Sequence, residues 1–119
     1  MSVASALLVD HMGAIMTVRL NRPDSRNALS QELHHEFAAA IGEFDSDASV
    51  RAIILTGTDP AFCSGVGFKE LDDSESATET IGPRYSPIVH TTTPLIGAIN
   101  GAAYAGGLEL ALACHLLVA

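Results

Sequence analysis

Glu109 is the only Asp, Glu, Lys or Arg between Thr91 and Ala119. It follows a glycine-bearing stretch, Ala105-Gly106-Gly107-Leu108, and leads into Leu110-Ala111-Leu112-Ala113-Cys114. A carboxylate buried without a partner is costly, so an acid kept in such a run is a candidate for proton transfer. Two glycine-bearing turns could complete a site. Phe62-Cys63-Ser64-Gly65-Val66-Gly67 and Ala105-Gly106-Gly107 each follow a strand-like run and precede a helix-like one. Backbone N–H groups at a helix start lack intrahelical partners and bind anions. If the two turns face one another, their N–H groups can hold one developing oxyanion, with Glu109 one helical turn away. Each feature has a plainer reading alone. Glycines after strands are usual turn chemistry, and an acid near a helix N-terminus suits the dipole. Two turns together with an isolated acid are harder to explain that way.

The elements around these residues follow from periodicity. Ala6 to Asp10 and Ala14 to Asn21 read as strands joined by a turn at His11-Met12-Gly13. Arg22-Pro23-Asp24 ends the second. Ser30 is a candidate N-cap for an amphipathic helix over Gln31 to Phe44, with Leu33, Phe37, Ala40, Ile41 and Phe44 on one face. Val50 to Thr56 is a nearly continuous apolar strand, as in a sheet covered on both faces. A loop runs from Gly57 to Gly67, and a short helix is predicted over Phe68 to Leu71. Leu95 to Asn100 reads as a buried strand, Gly106 to Cys114 as a helix, and Leu116 to Ala119 as the start of another strand. This order predicts α/β layering with largely parallel pairing.

Composition narrows the function classes. The 119 residues suffice for one modest domain, and 48% hydrophobic residues can build a core. A net charge of −8 argues against a nucleic-acid partner, which needs a basic stripe. Asp72, Asp73, Glu75 and Glu79 read as a solvated loop. Cys63 and Cys114 have neither metal-ligand nor disulfide-framework spacing and read as reduced thiols of a cytoplasmic protein. Among the histidines, His34-His35 do not share a helix face, and no metal site is expected. No secretion signal is read at the N-terminus. Pro94 to Ala119 is long enough to span a bilayer, but Asn100, Gly97, Gly101, Gly106, Gly107 and Glu109 interrupt it, so no membrane span is expected.

The motifs Leu20-Asn21-Arg22-Pro23, Arg26-Asn27-Ala28-Leu29, Ile54-Leu55-Thr56-Gly57, Phe62-Cys63-Ser64-Gly65, Ile99-Asn100-Gly101 and Gly106-Gly107-Leu108-Glu109-Leu110-Ala111 occur in that order. In content and order the chain resembles the enoyl-CoA hydratase/isomerase (crotonase) superfamily. The resemblance implies a crotonase-like ββα spiral of the α/β class. Residues 1–119 would be the N-terminal part of a single such domain, truncated before its C-terminal strands and helices. It implies an acyl-CoA thioester substrate, coenzyme A being part of the substrate and no separate cofactor. It implies lyase or isomerase chemistry of fatty acid metabolism through a thioester enolate. By motif position, the backbone N–H groups of Val66 and Gly106 form the oxyanion hole, and Glu109 is one of two acid/base glutamates. Arg26, Asn27, Ala28, Ser64 and Gly65 would contact coenzyme A, while Lys69, the only lysine, and Arg26 approach its phosphates.

Three positions depart from that pattern. Gly67 and His115 each replace a usual Asp, and Ala105 replaces the first of three glycines. His115 reads as a packed or half-exposed helix-end residue. The second glutamate, and the helices that build a trimer or hexamer, would lie beyond Ala119. The alternative expectation is a catalytically incomplete remnant or split-protein half. It would be a CoA-binding interaction module that pairs with a complementary C-terminal chain.

Overall fold

Strand β1 (Leu7–Met12) pairs antiparallel with β2 (Ile15–Leu20), from Leu7 opposite Leu20 to Met12 opposite Ile15. The coordinates are a computed structural model and describe residues 5–65 and 90–119. Val66, Gly67, Lys69, the expected helix over Phe68 to Leu71, and the acidic stretch from Asp72 to Glu79 lie outside the described residues. The hairpin turn is Gly13-Ala14, with Gly13 at φ 59, two residues tighter than expected at its start. A two-residue connection with a left-handed first corner matches the twist of the paired strands.

After β2 a single 3-10 turn over Pro23–Ser25 redirects the chain into helix α1 (Gln31–Asp45). Ser30 caps α1 as predicted, its Oγ accepting the Leu33 N–H at 3.1 Å. Leu33, Phe37, Ile41 and Phe44 form its buried face and pack on Val18, Leu20, Ile53 and Leu55 of the sheet. The chain returns as β3 (Ala52–Gly57), parallel to β2. Strands β5 (Leu95–Ala98) and β7 (Leu116–Val118) extend the sheet in parallel, in the order β1-β2-β3-β5-β7. The α/β layering and the largely parallel pairing expected from the sequence are therefore present.

Two strands were not expected. β4 (Ala61–Cys63) lies within the predicted Gly57–Gly67 loop, and β6 (Ala102–Ala103) lies within the glycine-rich run. They pair in parallel as a separate two-stranded sheet. Helix α2 (Gly106–Leu112) follows β6 directly.

Candidate active site

The paired strands β4 and β6 launch the two glycine turns side by side. Tyr104 N–H donates to the Cys63 carbonyl at 3.1 Å, just beyond the ladder. Gly65, at φ 94, lies against the start of α2: a Cβ there would sit 3.0 Å from the Tyr104 oxygen and 3.1 Å from the Gly106 nitrogen. Gly107 packs even closer, since a Cβ on it would overlap the Cys63 carbonyl. Glycine is needed at both positions for steric reasons, and Gly65 also for its positive φ. The described part of the first turn, up to Gly65, therefore lies against the second.

A third segment is stitched to the same place. Leu29 N–H donates to the Gly65 carbonyl at 2.6 Å, Ser64 N–H to the Arg26 carbonyl at 3.0 Å, and Ser64 Oγ to the Ser25 carbonyl at 3.0 Å. Arg26 (φ 55) and Asn27 (φ 60) are both left-handed, which turns the chain sharply into α1. The Arg22 guanidinium donates to the Ala28 carbonyl. Asn27 is fully buried. Its Oδ1 accepts the Arg22 N–H at 2.8 Å, and its Nδ2 donates to the carbonyls of Thr58 at 2.9 Å and Ala61 at 2.8 Å. That amide is an internal brace, whereas the neighbouring Arg26 is exposed. Arg26, Asn27, Ala28, Ser64, Gly65 and Gly106 thus meet in one region. A cleft of about 520 Å³ opens along Asn21–Ser25 beside it.

A family model for enoyl-CoA hydratase/isomerase matches residues 10–119. The chain belongs to the enoyl-CoA hydratase/isomerase family. It is 42% identical over 112 residues to a probable peroxisomal enoyl-CoA hydratase of Arabidopsis thaliana, covering 90% of this chain and 41% of that protein. A probable enoyl-CoA hydratase of Rhizobium meliloti is 36% identical over 116 residues, covering 95% of this chain and 45% of the relative. The solved enoyl-CoA hydratase of Mycobacterium tuberculosis H37Rv superposes with a TM-score of 0.81 at 47% identity, over 94% of this chain and 45% of that one. The Bacillus anthracis enoyl-CoA hydratase does so with a TM-score of 0.86 at 31% identity, over 94% and 46%. The crotonase-like fold expected from the motifs is the fold found, and the chain spans less than half the length of these relatives.

Within this family member one opening expectation is corrected: Glu109 is exposed, not buried. The cause is the close approach just described. Gly107 turns inward against Cys63, and Gly106, Gly107, Leu110 and Ala111 make the buried face of α2. The helical period then places Glu109, Leu108 and Leu112 on the opposite side. An exposed carboxylate does not need a buried partner.

Other polar groups brace the frame. Asn100 Oδ1 accepts the Gly57 N–H at 3.1 Å, and its Nδ2 donates to Asp59 at 3.2 Å and to the Ala61 carbonyl at 3.2 Å. His115 N–H donates to the Leu95 carbonyl at 2.9 Å, and its Nδ1 accepts the Leu95 N–H at 2.9 Å. His115 is an exposed clamp on β5, in keeping with a helix-end role. Burial pushes the thiols of Cys63 and Cys114 up to about 11 each, so both are free but poor nucleophiles. Among the described residues no helix is long and apolar enough to cross a membrane. The bracing roles of Asn27 and Asn100 were missed from sequence. The signal for Asn27 was its place before Ala28 in a tight connection, where Asn tolerates the left-handed region.

Proposed function

We propose that this chain carries the thioester-binding side of an enoyl-CoA hydratase/isomerase active site. In this reading the Gly106 and Val66 N–H groups receive the thioester oxygen as it gains enolate charge. Each preorganised donor contributes about 3–4 kcal/mol to the transition state, by analogy with oxyanion-hole deletions. Arg26 and Lys69 meet the phosphates of coenzyme A, and the backbone of Arg26, Asn27, Ala28, Ser64 and Gly65 lines its path. Glu109 acts as acid/base toward water or the α-proton. The observation that supports the reading is the close approach of Gly65 to the start of α2, where a Cβ on Gly65 would sit 3.1 Å from the Gly106 nitrogen.

The test is hydration of crotonyl-CoA by the pure chain, followed as loss of enoyl-thioester absorbance. Turnover by the parent chain is expected to fall at least 100-fold in Glu109→Gln, with affinity for free coenzyme A unchanged. Turnover that survives the substitution overturns the role given to Glu109. Failure of the parent chain to bind coenzyme A or crotonyl-CoA at all overturns the site.

A second reading is favoured by the exposure of Leu108, Leu112, Leu116, Leu117 and Val118. Here the chain binds coenzyme A without turnover and pairs through α2 and β7 with a complementary chain or with copies of itself. Binding of coenzyme A without hydration, in an assembly larger than one chain by sedimentation, is its expected signature.

A further inference from the structure

Asn100 is followed by Gly101, whereas the other asparagines, Asn21 and Asn27, precede Arg22 and Ala28. Both members of the Asn-Gly pair are exposed, in the connection from β5 to β6. Each is held to the β3–β4 connection for a separate reason. A Cβ on Gly101 would sit 2.7 Å from the Pro60 carbonyl oxygen and 3.2 Å from the Ala61 Cα, so glycine is needed for space. The Asn100 carboxamide spans the same connection. Its Oδ1 accepts the Gly57 N–H at 3.1 Å and the Thr56 hydroxyl at 3.5 Å. Its Nδ2 donates to the Asp59 carboxylate and to the Ala61 carbonyl, at 3.2 Å each. Packing therefore places an asparagine and a glycine next to each other in sequence.

That pair carries a chemistry of its own. The Gly101 backbone nitrogen can attack the Asn100 Cγ, losing its proton and expelling Nδ2 as ammonia, which closes a succinimide ring. Water then opens the ring at either carbonyl and leaves aspartate or isoaspartate. The sum is asparagine and water in, acid and ammonia out. With no Cβ on Gly101, the attacking nitrogen is unobstructed. The attack needs that nitrogen about 3 Å above the carboxamide plane, and it turns Cγ tetrahedral. In the fold the carboxamide is held flat by its bonds to Thr56, Gly57, Asp59 and Ala61. A tetrahedral Cγ carries Oδ1 and Nδ2 off those partners, so the ring closes only from an opened β3–β4 connection.

We propose that Asn100-Gly101 is a self-modification site, a deamidation centre that the closed fold protects and that reacts when the β3–β4 connection opens. Conversion also opposes reclosure. In the aspartate product an oxygen replaces Nδ2 opposite the Asp59 carboxylate and the Ala61 carbonyl, all of them acceptors. The hydrogen bonds of that nitrogen are lost, and two like charges stand together. Isoaspartate instead inserts an extra backbone atom just ahead of β6, whose Ala102 pairs with Ala61 of β4. Either product loosens the frame that Asn100 braces, so an opening that ends in conversion is recorded permanently.

The experiment incubates the parent chain in mildly alkaline buffer, with and without denaturing urea, and locates conversion by peptide mass spectrometry. Labelling with an isoaspartate-specific methyltransferase separates the two products. In urea, Asn100 is expected to convert well before Asn21 and Asn27. In the folded chain its conversion is expected to be at least about ten-fold slower. Asp59→Ala removes one partner of Nδ2 and is expected to raise the folded-state rate about three-fold, with the rate in urea unchanged. The parent comparison stands by itself if that variant does not fold. The converted chain, separated by its added charge, is expected to unfold at lower urea than the parent, and Asn100→Asp should do the same. Combining Asn100→Asp with Asp59→Asn returns a donor to the pair and should restore part of the loss. Equal Asn100 rates with and without urea overturn the protection by the fold. Conversion in urea that does not favour Asn100 over Asn21 and Asn27 overturns the site. A converted chain with the parent's urea midpoint overturns the opposition to reclosure.

Discussion

The Asn27 side chain joins three separate stretches of backbone with one amide. It holds the Arg22 N–H ahead of the turn and the carbonyls of Thr58 and Ala61 on either side of the β3–β4 connection. It does so from a fully buried position at φ 60. Truncating it strands two carbonyls and one N–H, each costing about 1–3 kcal/mol if water does not reach it. Asn27→Gly keeps the backbone angle without strain and is expected to lose about 3 kcal/mol, from the hydrogen bonds alone. Asn27→Ala adds the left-handed penalty and is expected to lose about 1 kcal/mol more. Urea unfolding of the three chains measures both steps, and equal losses would remove the strain contribution. The sequence made Asn27 visible as part of a motif but not as a brace, because two of its three partners lie more than thirty residues away. Glu109 shows the converse. Its isolation was legible, but its exposure depended on which side of α2 meets Cys63, and that is set by the missing side chain of Gly107.

At the scale of elements, periodicity was enough wherever an element was long. The α1 stripe and its Ser30 cap, the hairpin, and the parallel apolar strands were all readable from spacing. β4 and β6 were not, because strands of three and two residues carry no period. Yet these two short strands are what place Gly65 beside Gly106. The end of α1 supplies a further connection that spacing does not show. One oxygen of Asp45 accepts from both the N–H and the hydroxyl of Thr92, at 3.1 Å each, and of Thr93, at 2.9 Å each. Those bonds, led by the Thr93 backbone N–H, hold the Asp45 carboxyl below its ordinary value of 3.8. A carboxyl depressed in the folded state stabilises it above the unfolded value, and that contribution is lost as pH falls through the folded value. Asp45→Ala is therefore expected to lower the urea midpoint at neutral pH. The gap from the parent chain should narrow as pH drops below about 3.8. A gap that stays constant down to about pH 2 would show that the threonines are held by something other than the ionised carboxylate.

At the scale of the whole molecule, the five-stranded sheet ends among the described residues on β1 and on β7, and these edges are not equivalent. β1 exposes Leu8, Val9 and Met12, but it also carries Asp10 and His11. Charge on an edge strand opposes pairing with another chain. β7 carries no charge: Leu116, Leu117 and Val118 are all exposed, and Leu112 of α2 is 65% exposed beside them in sequence. An uncharged edge continuous with exposed leucines is the surface expected to associate. The pure chain should therefore sediment as a concentration-dependent assembly. Combining Leu112→Gln with Leu116→Thr removes apolar surface from α2 and β7 while keeping a β-branched residue in the strand. Both side chains are exposed, so the urea midpoint should change little. The assembly, by contrast, should shift toward single chains over the same concentration range. Leu8→Thr on the opposite edge serves as the matched substitution and is expected to leave association unchanged. If Leu8→Thr disperses the assembly and the α2/β7 pair does not, the contact runs through β1. The reading in which this chain docks through α2 and β7 would then lose its basis, while the cradle formed by Gly65 and Gly106 would be untouched, since neither residue lies on that edge.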